Sequence, residues 1–432
     1  MAFVAPALML AVLPIAEASA ETRAGAAAAA KGPRTDAAAA PADVGATERF
    51  PTLERAMELS REWSPSVVTA RAGVGVAQSA YAGARLTPVD NPYLEVFVDR
   101  GTNGATKDVM VQGNLWVPLE VSGQRGRRID EADALVAWRE TDLEAVRMTA
   151  EGEAVRAYGA ALVAAARVLT FESIVKDARE EAGVYTSRLD AGDATLQDEK
   201  LAQVELARVT VLLAEARADQ RRALSDLARV TGRMFEPPGG TAVTPPPADG
   251  MTRGEVARAA AESPHVDSSR REAAYYARAR ERAQIESHVP LNLIVTAGRG
   301  DLGEARFGGG LAWTFPVLRR NQSETARADA ERTRALAETQ VKQRVLASTL
   351  LNLEKERAEV RQAREVIETA GEPAAQASVE AALAMKAAGK GEMLRVLTAR
   401  RDMALLRMRR LELIQREWSI VADIVALTGD LP

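Results

Sequence analysis

The chain has 432 residues, of which 27% are charged and only 4% aromatic, a composition suited to long helices, whereas sandwiches and barrels usually carry more aromatics. The formal charge of -4, with acids and bases interleaved, provides no basic stripe for nucleic acid. Cysteine is absent, which excludes disulfides, thiol catalysis, Cys-ligated zinc and a lipidated N-terminal Cys, and His265 and His288 are too few for a His-rich metal site.

In chain order, residues 1–20 read as a signal peptide: an apolar run from Phe3 to Ile15 is followed by Ala18-Ser19-Ala20, a small-residue cleavage pattern, although no Lys or Arg precedes the run. Residues 21–48 are Ala, Gly and Pro with little else, and read as a low-complexity linker. Downstream, no apolar run of about 18 residues is evident, so no helical membrane span is expected. A membrane crossing would then fall to strands of a closed barrel.

The remainder is written twice. Ser64-Pro65 matches Ser263-Pro264, Val117-Pro118 matches Phe315-Pro316, and Gln124 matches Gln322. Ala191-Gly192 matches Ala388-Gly389, and Val230-Thr231-Gly232 matches Leu427-Thr428-Gly429, all at an offset of 197 to 199 residues. These landmarks divide the chain into a first repeat at 49–236, a Pro/Gly joint at 237–250 and a second repeat at 251–432. Each repeat is expected to run helix, two strands, very long helix, sharp turn, helix.

In the first repeat a helix is expected from Leu53 to about Arg85, ended by Pro88 and Asn91-Pro92. Two strands follow with period two. Leu94, Val96 and Val98 share one face of the first, and Val109, Val111, Leu115 and Val117 one face of the second. A rod from about Arg127 to Leu189 carries Ile129, Val136 and Leu143, then Val155, Leu162 and Leu169, at heptad spacing. Its roughly 60 residues would span about 90 Å. Asp190-Ala191-Gly192-Asp193 breaks it, and a helix returns from Thr195 to Val230.

The second repeat has the same strand pattern, with Leu291, Leu293 and Val295 on one strand and Phe307, Leu311, Trp313 and Phe315 on the next. A rod is expected from Ser323 to about Ala388, a break at Gly389-Lys390-Gly391, and a return to Leu427. The apolar strand faces are candidate lipid contacts, with Trp116, Phe307, Trp313 and Phe315 as an aromatic girdle. Four strands cannot close a barrel, so three copies giving twelve strands are expected. The residues alone leave open a second reading, a soluble periplasmic coiled-coil scaffold or adaptor protein.

The element order, the duplication and the stretch Val117-Pro118-Leu119-Glu120-Val121-Ser122-Gly123-Gln124-Arg125-Gly126-Arg127-Arg128-Ile129 resemble the TolC-like outer-membrane efflux protein family, in its CzcC-type branch that serves heavy-metal RND efflux pumps. The resemblance spans about Phe50 to Gly429. It implies a mainly α fold of long antiparallel coiled-coil hairpins, plus four strands per chain completing a 12-stranded transmembrane barrel in a homotrimer. It implies a passive duct in the outer membrane of a Gram-negative-type cell, with its helices in the periplasm. The duct would meet a periplasmic adaptor (membrane fusion) protein and an inner-membrane RND-type pump, and export small solutes that include divalent metal cations.

By the same resemblance, Arg188, Leu189 and Gly192 in one hairpin, and Met385, Gly389, Met393 and Leu394 in the other, are candidate adaptor contacts. Asp193, Asp198, Glu392 and Arg395 are candidates for a periplasmic constriction. Arg395 and Thr398 stand where some relatives carry an aspartate ring, which argues against an acidic gate from the second hairpin. Asp193 and Asp198 are also placed to cap a helix N-terminus, the preferred reading for Asp193. No phosphate-binding loop, nucleophile elbow or metal-ligand cluster is present, so neither an enzyme nor a cofactor is expected. Gly308-Gly309-Gly310 lies within a strand pattern.

Overall fold

Prolines, caps and left-handed residues set the element boundaries. The structure, a computed structural model, describes residues 47–431 apart from 88–89, 104–105, 241–242, 248–249, 288–290, 301–303, 314, 319 and 389–392, all within the unit Thr47–Pro432. The expected signal peptide and residues 21–46 of the expected linker lie outside the described residues, while Thr47 and Glu48, expected to end the linker, form a strand.

The described chain opens with β1 (Thr47–Glu48), just ahead of the first repeat, followed by α1 (Leu53–Trp63) and α2 (Pro65–Ala84). The single helix expected from Leu53 to Arg85 is thus two. Ser64, held extended at ψ 135° ahead of Pro65, ends the first, and Pro65 starts the second at a position needing no N–H. Then come β2 (Tyr93–Asn103), β3 (Thr106–Leu119), the rod α3 (Gln124–Asp190) and its return α4 (Leu196–Thr231). After β4 (Met234–Phe235), the second repeat runs α5 (Arg253–Glu262), α6 (Pro264–Ile285), β5 (Leu291–Arg299) and β6 (Ala305–Ala312). Its rod is α7 (Gln322–Val366), a π-helical turn at Ile367–Gly371 and α8 (Glu372–Ala387), and its return is α9 (Met393–Thr428). The continuous second rod expected from sequence is therefore interrupted. Pro373 has no N–H for its helical bond, and the π turn just before it absorbs the misfit.

The duplication is repeated in backbone detail. Gly123 (φ 79°) and Asn321 (φ 58°) hold the same left-handed position before each rod. The next residue closes the corner in the same way: Gln124 Oε1 accepts the Ser122 N–H at 3.0 Å, and Gln322 Oε1 accepts the Arg320 N–H at 2.9 Å. Gly232 (φ 71°) and Gly429 (φ 80°) end the two return helices. In the first corner Glu120 takes a bidentate pair from Arg128, at 2.9 Å to each oxygen, and Arg128 also donates to the Leu86 carbonyl at 3.0 Å. The stretch that carries the resemblance is thus the joint between strand and rod.

The halves knit along α3 and α9. Val155, Val163 and Ala166 of α3 form one buried cluster with Leu411, Ile414, Trp418, Val421, Ala422 and Val425 of α9. Each such large side chain stabilises by about 1.5–3 kcal/mol on burial. Gly152 and Gly159, seven residues apart, allow the close approach. A Cβ on Gly159 would lie 2.4 Å from Trp418 Cγ, and one on Gly152 would lie 2.5 Å from the Ala422 carbonyl. The rod α3 also packs on α4 through Val168, Val175, Val209 and Leu213. Contrary to the sequence expectation, α3 contains an 18-residue window with mean hydropathy of 1.4, apolar enough by composition to cross a membrane. Its apolar middle faces α9, α4 and α1 within the bundle, which accounts for that composition.

Candidate functional site: the sheet and the hairpin tips

The four long strands form one antiparallel sheet in the order β2-β3-β5-β6, the two repeats meeting at β3 and β5. Cross-strand partners share a face, so the register sorts the side chains. Val96 pairs with Gly113, Val98 with Val111, and Leu94 with Leu115, which in turn pairs with Val295. Val117 pairs with Leu293, which pairs with Leu311, and Ala297 pairs with Phe307. Leu94, Val96, Val98, Val109, Val111, Leu115, Leu291, Leu293, Val295, Phe307 and Leu311 therefore lie on a single face of the sheet. All are exposed except half-buried Leu291, and Phe307 reaches 84%. Trp313 lies one residue beyond β6 and is exposed, its ring 4.8 Å from that of Phe315.

The opposite face is more polar, carrying Glu95, Asp99, Gln112, Asn114, Thr296 and Arg306 with Gly308 and Gly310, alongside apolar Phe97 and Ile294. Trp116 is also on this polar face, not with the apolar set, because its position is even where Leu115 and Val117 are odd. It stacks on Tyr93 at 5.6 Å and donates to Glu95 at 3.1 Å. β2 exceeds the sequence expectation, continuing through Gly101 to Asn103, whereas β6 ends at Ala312, short of Trp313 and Phe315. From Val109 to Val117 the apolar face extends about 26 Å along the strand, near the height of the apolar band of an outer-membrane barrel. Among the described residues β2 and β6 each have one strand neighbour, so the sheet has two open edges.

At the first hairpin tip, the Gly192 N–H donates to the Leu189 carbonyl at 3.0 Å and the Asp193 N–H to the Arg188 carbonyl at 2.7 Å, with Gly192 left-handed at φ 78°. Arg188, Gly192 and Asp193 are exposed and Leu189 is half-buried. The capping role preferred for Asp193 belongs instead to Asp198. Thr195 is the N-cap of α4, and Asp198 completes a capping box, accepting from the Thr195 hydroxyl at 2.7 Å and the Thr195 N–H at 3.3 Å. At the second tip Met385, Leu394 and Arg395 are exposed. Met393 is the first residue of α9, and Gly389 and Glu392 lie outside the described residues.

Sequence reading missed the tie between the hairpins. Glu181 of α3, 8% exposed at its side chain, accepts from Lys386 Nζ of α8 at 2.9 Å and Arg400 Nη1 of α9 at 2.7 Å. The Lys386 ammonium also sits 4.7 Å from the Tyr185 ring centroid. Burial alone would push the Lys386 pKa down, but bonds to Glu181 and Tyr185 outweigh it and hold it above the ordinary lysine value. Residues 205 and 219 positions apart give no local signal of such a contact. The break at Pro373, by contrast, has a local signal, a proline within a helical pattern.

Farther up α3, burial raises the Glu151 pKa, although Arg61 of α1, donating at 2.8 Å, opposes the rise. His265, near the start of α6, bonds through Nε2 to the Ala426 carbonyl at 2.9 Å and ties α6 to α9. Among the described residues, no group of three or more metal-capable side chains converges.

Residues 17–233 match the family model described as "Outer membrane efflux protein". The cobalt-zinc-cadmium resistance protein CzcC of Cupriavidus metallidurans is 26% identical over 387 residues, 88% of this chain and 90% of that protein. The crystal structure of CusC superposes with a TM-score of 0.68 at 14% identity, covering 88% of this chain and 94% of that one. The outer membrane protein VceC of Vibrio cholerae superposes with a TM-score of 0.65 at 17% identity, covering 88% and 97%. These folds share the mainly helical architecture with its small strand part. The chain is an outer-membrane efflux channel protein and belongs to the outer membrane efflux protein family.

Proposed function

We propose that three copies of this chain close into one tube, a passive duct across the outer membrane whose helices continue into the periplasm. The observation that carries this reading is the sheet, apolar and exposed on one face across four strands and open at both edges. A contiguous apolar face of this size calls for an apolar partner, and in lipid each unpaired backbone group costs several kcal/mol. Pairing β6 of one copy with β2 of the next removes every edge and gives twelve strands. The helices support the same closure: α4 exposes Leu196, Val204 and Val211, and α7 exposes Val341 and Val345. These are unpartnered seams on the two outer helices of the protomer.

In this reading Leu94, Val96, Val98, Val109, Val111, Leu115, Leu291, Leu293, Val295, Phe307, Leu311 and Trp313 face lipid, and the polar face lines a water-filled bore. Arg188, Leu189, Gly192, Met385, Gly389, Met393 and Leu394 meet a periplasmic adaptor coupled to an RND-type pump. Three copies of Asp193, Glu392 and Arg395 surround the periplasmic mouth, while Asp198 is engaged in its cap. Residues 1–20 serve as the export signal and residues 21–46 as a linker, with Thr47 and Glu48 taken up in β1. The duct performs no chemistry and needs no cofactor. Likeness to the cobalt-zinc-cadmium resistance protein supports divalent metal cations as cargo. Fractionation of the expressed protein and its mass in mild detergent test the reading. A trimer in the outer membrane is the expected result. A soluble periplasmic monomer or dimer overturns it in favour of a coiled-coil scaffold.

A further inference from the structure

The two hairpins part in the tip-proximal third of the rods. Below the Trp418 cluster, and reaching down to Glu181, lies a cavity of about 460 Å³ to which all four helices contribute. Its apolar lining includes Phe171 of α3, Leu212 of α4, Val379 of α8 and Met408 of α9. That volume lies within the range of small-molecule sites, and the mixture of apolar walls with a few charged groups is their usual chemistry.

The charges are unequally engaged. Arg208, Arg400, Arg401 and Arg407 line the cavity against Asp177, Glu181 and Glu205. Glu181 is held by Lys386 and Arg400, and Glu205 by Arg208 at 3.3 Å. Arg407, half-buried, and Arg401, exposed, have no hydrogen bond or ion pair with a described residue. A half-buried guanidinium without a partner bears a desolvation cost that an anion relieves, and its planar fork suits sulfonate or carboxylate.

We propose that this inter-hairpin cavity binds an amphiphilic organic anion, its apolar body between Phe171, Leu212, Val379 and Met408 and its anionic group on Arg407, with Arg401 adding to the local field. The inference rests on the cavity and stands apart from the channel reading. Two probes with one ring system test it: 8-anilinonaphthalene-1-sulfonate and its uncharged counterpart N-phenyl-1-naphthylamine. Each is titrated by fluorescence into the full chain in phosphatidylcholine nanodiscs, with empty nanodiscs subtracted.

The sulfonate is expected to bind saturably and at least about tenfold more tightly than the neutral ring. R401Q/R407Q should weaken it by about tenfold or more, L212W should fill the cavity and abolish it, and R401K/R407K, which keeps the charge without the fork, should retain part of it. Retained binding in R401K/R407K separates lost recognition from lost folding. Equal affinity for the two probes, or a sulfonate signal unchanged in both R401Q/R407Q and L212W, overturns the proposal.

Discussion

The first half of the chain builds its rod as one uninterrupted α-helix, Gln124–Asp190, while the second spans nearly the same length with a π turn and a proline toward its tip end. The two corners that lead into the rods are otherwise alike, with a left-handed residue followed by a glutamine that accepts the N–H two residues back. So are the closing glycines, Gly232 and Gly429. The two halves thus agree where the backbone has one workable conformation and diverge where a helix can absorb a change. The same contrast appears between the α3 glycines, pressed against the other half, and Gly371, whose nearest neighbour would be in ordinary contact at 3.7 Å.

The sheet is where the halves should behave most alike, since its register places both repeats on one apolar face. A charge on that face is the most severe test. Leu115→Arg in the first half, flanked by Leu94 and Val295, and Leu293→Arg in the second should each cost about 2–4 kcal/mol per chain at mid-bilayer depth. Both should empty the outer-membrane fraction of heat-modifiable trimer. Gln112→Arg, three residues away on the opposite face, should leave the trimer intact. Full assembly of Leu115→Arg would mean that the apolar face does not meet lipid.

Where the halves press on each other, asymmetry is expected. Gly159→Val drives a branched side chain into Trp418, which is 4% exposed, and should cost about 1–3 kcal/mol, read as a lower Tm. Pairing it with Trp418→Leu should recover part of the loss, because the two positions share one space. Gly371→Ala should be neutral or stabilising by about 0.5–1 kcal/mol, the ordinary gain of alanine over glycine in a helix. Equal losses at the two glycines would erase the distinction between a contact glycine and an incidental one.

The parts legible in the sequence are those set by local rules. Period-two alternation placed Leu94, Val111 and Leu293 on one sheet face, and the break at Gly192 marked the first hairpin tip. The same alternation, read strictly, puts Trp116 on the polar face, so grouping it with the girdle aromatics followed residue type where parity decided. Ser64-Pro65 enters the sequence reading only as a repeat landmark and Pro373 not at all, although each proline restricts the backbone around it. The polar ties are another matter. Whether Asp193 or Asp198 capped α4 depended on which residue became the N-cap, and Thr195 took that place. Nothing near Glu181 in the chain points to Lys386 or Arg400, because their meeting depends on how two separate hairpins are set side by side.

That tie gives the subtlest test of the comparison, since it is where the first hairpin holds the second. Glu181→Gln removes the shared carboxylate charge and should cost about 1 kcal/mol, with a longer mean distance between spin labels placed on the two hairpins of the cysteine-free chain. The pH dependence has a definite sign. The Lys386 pKa is raised in the folded protein, since bonds to Glu181 and Tyr185 outweigh burial. Its contribution is therefore complete below the ordinary lysine value of 10.5 and is lost as pH climbs through the raised value. The label distance should stay flat through neutral pH and lengthen only in the alkaline range, and Glu181→Gln should blunt that alkaline step. Lengthening near neutral pH in the unaltered chain would show that another group holds the hairpins together.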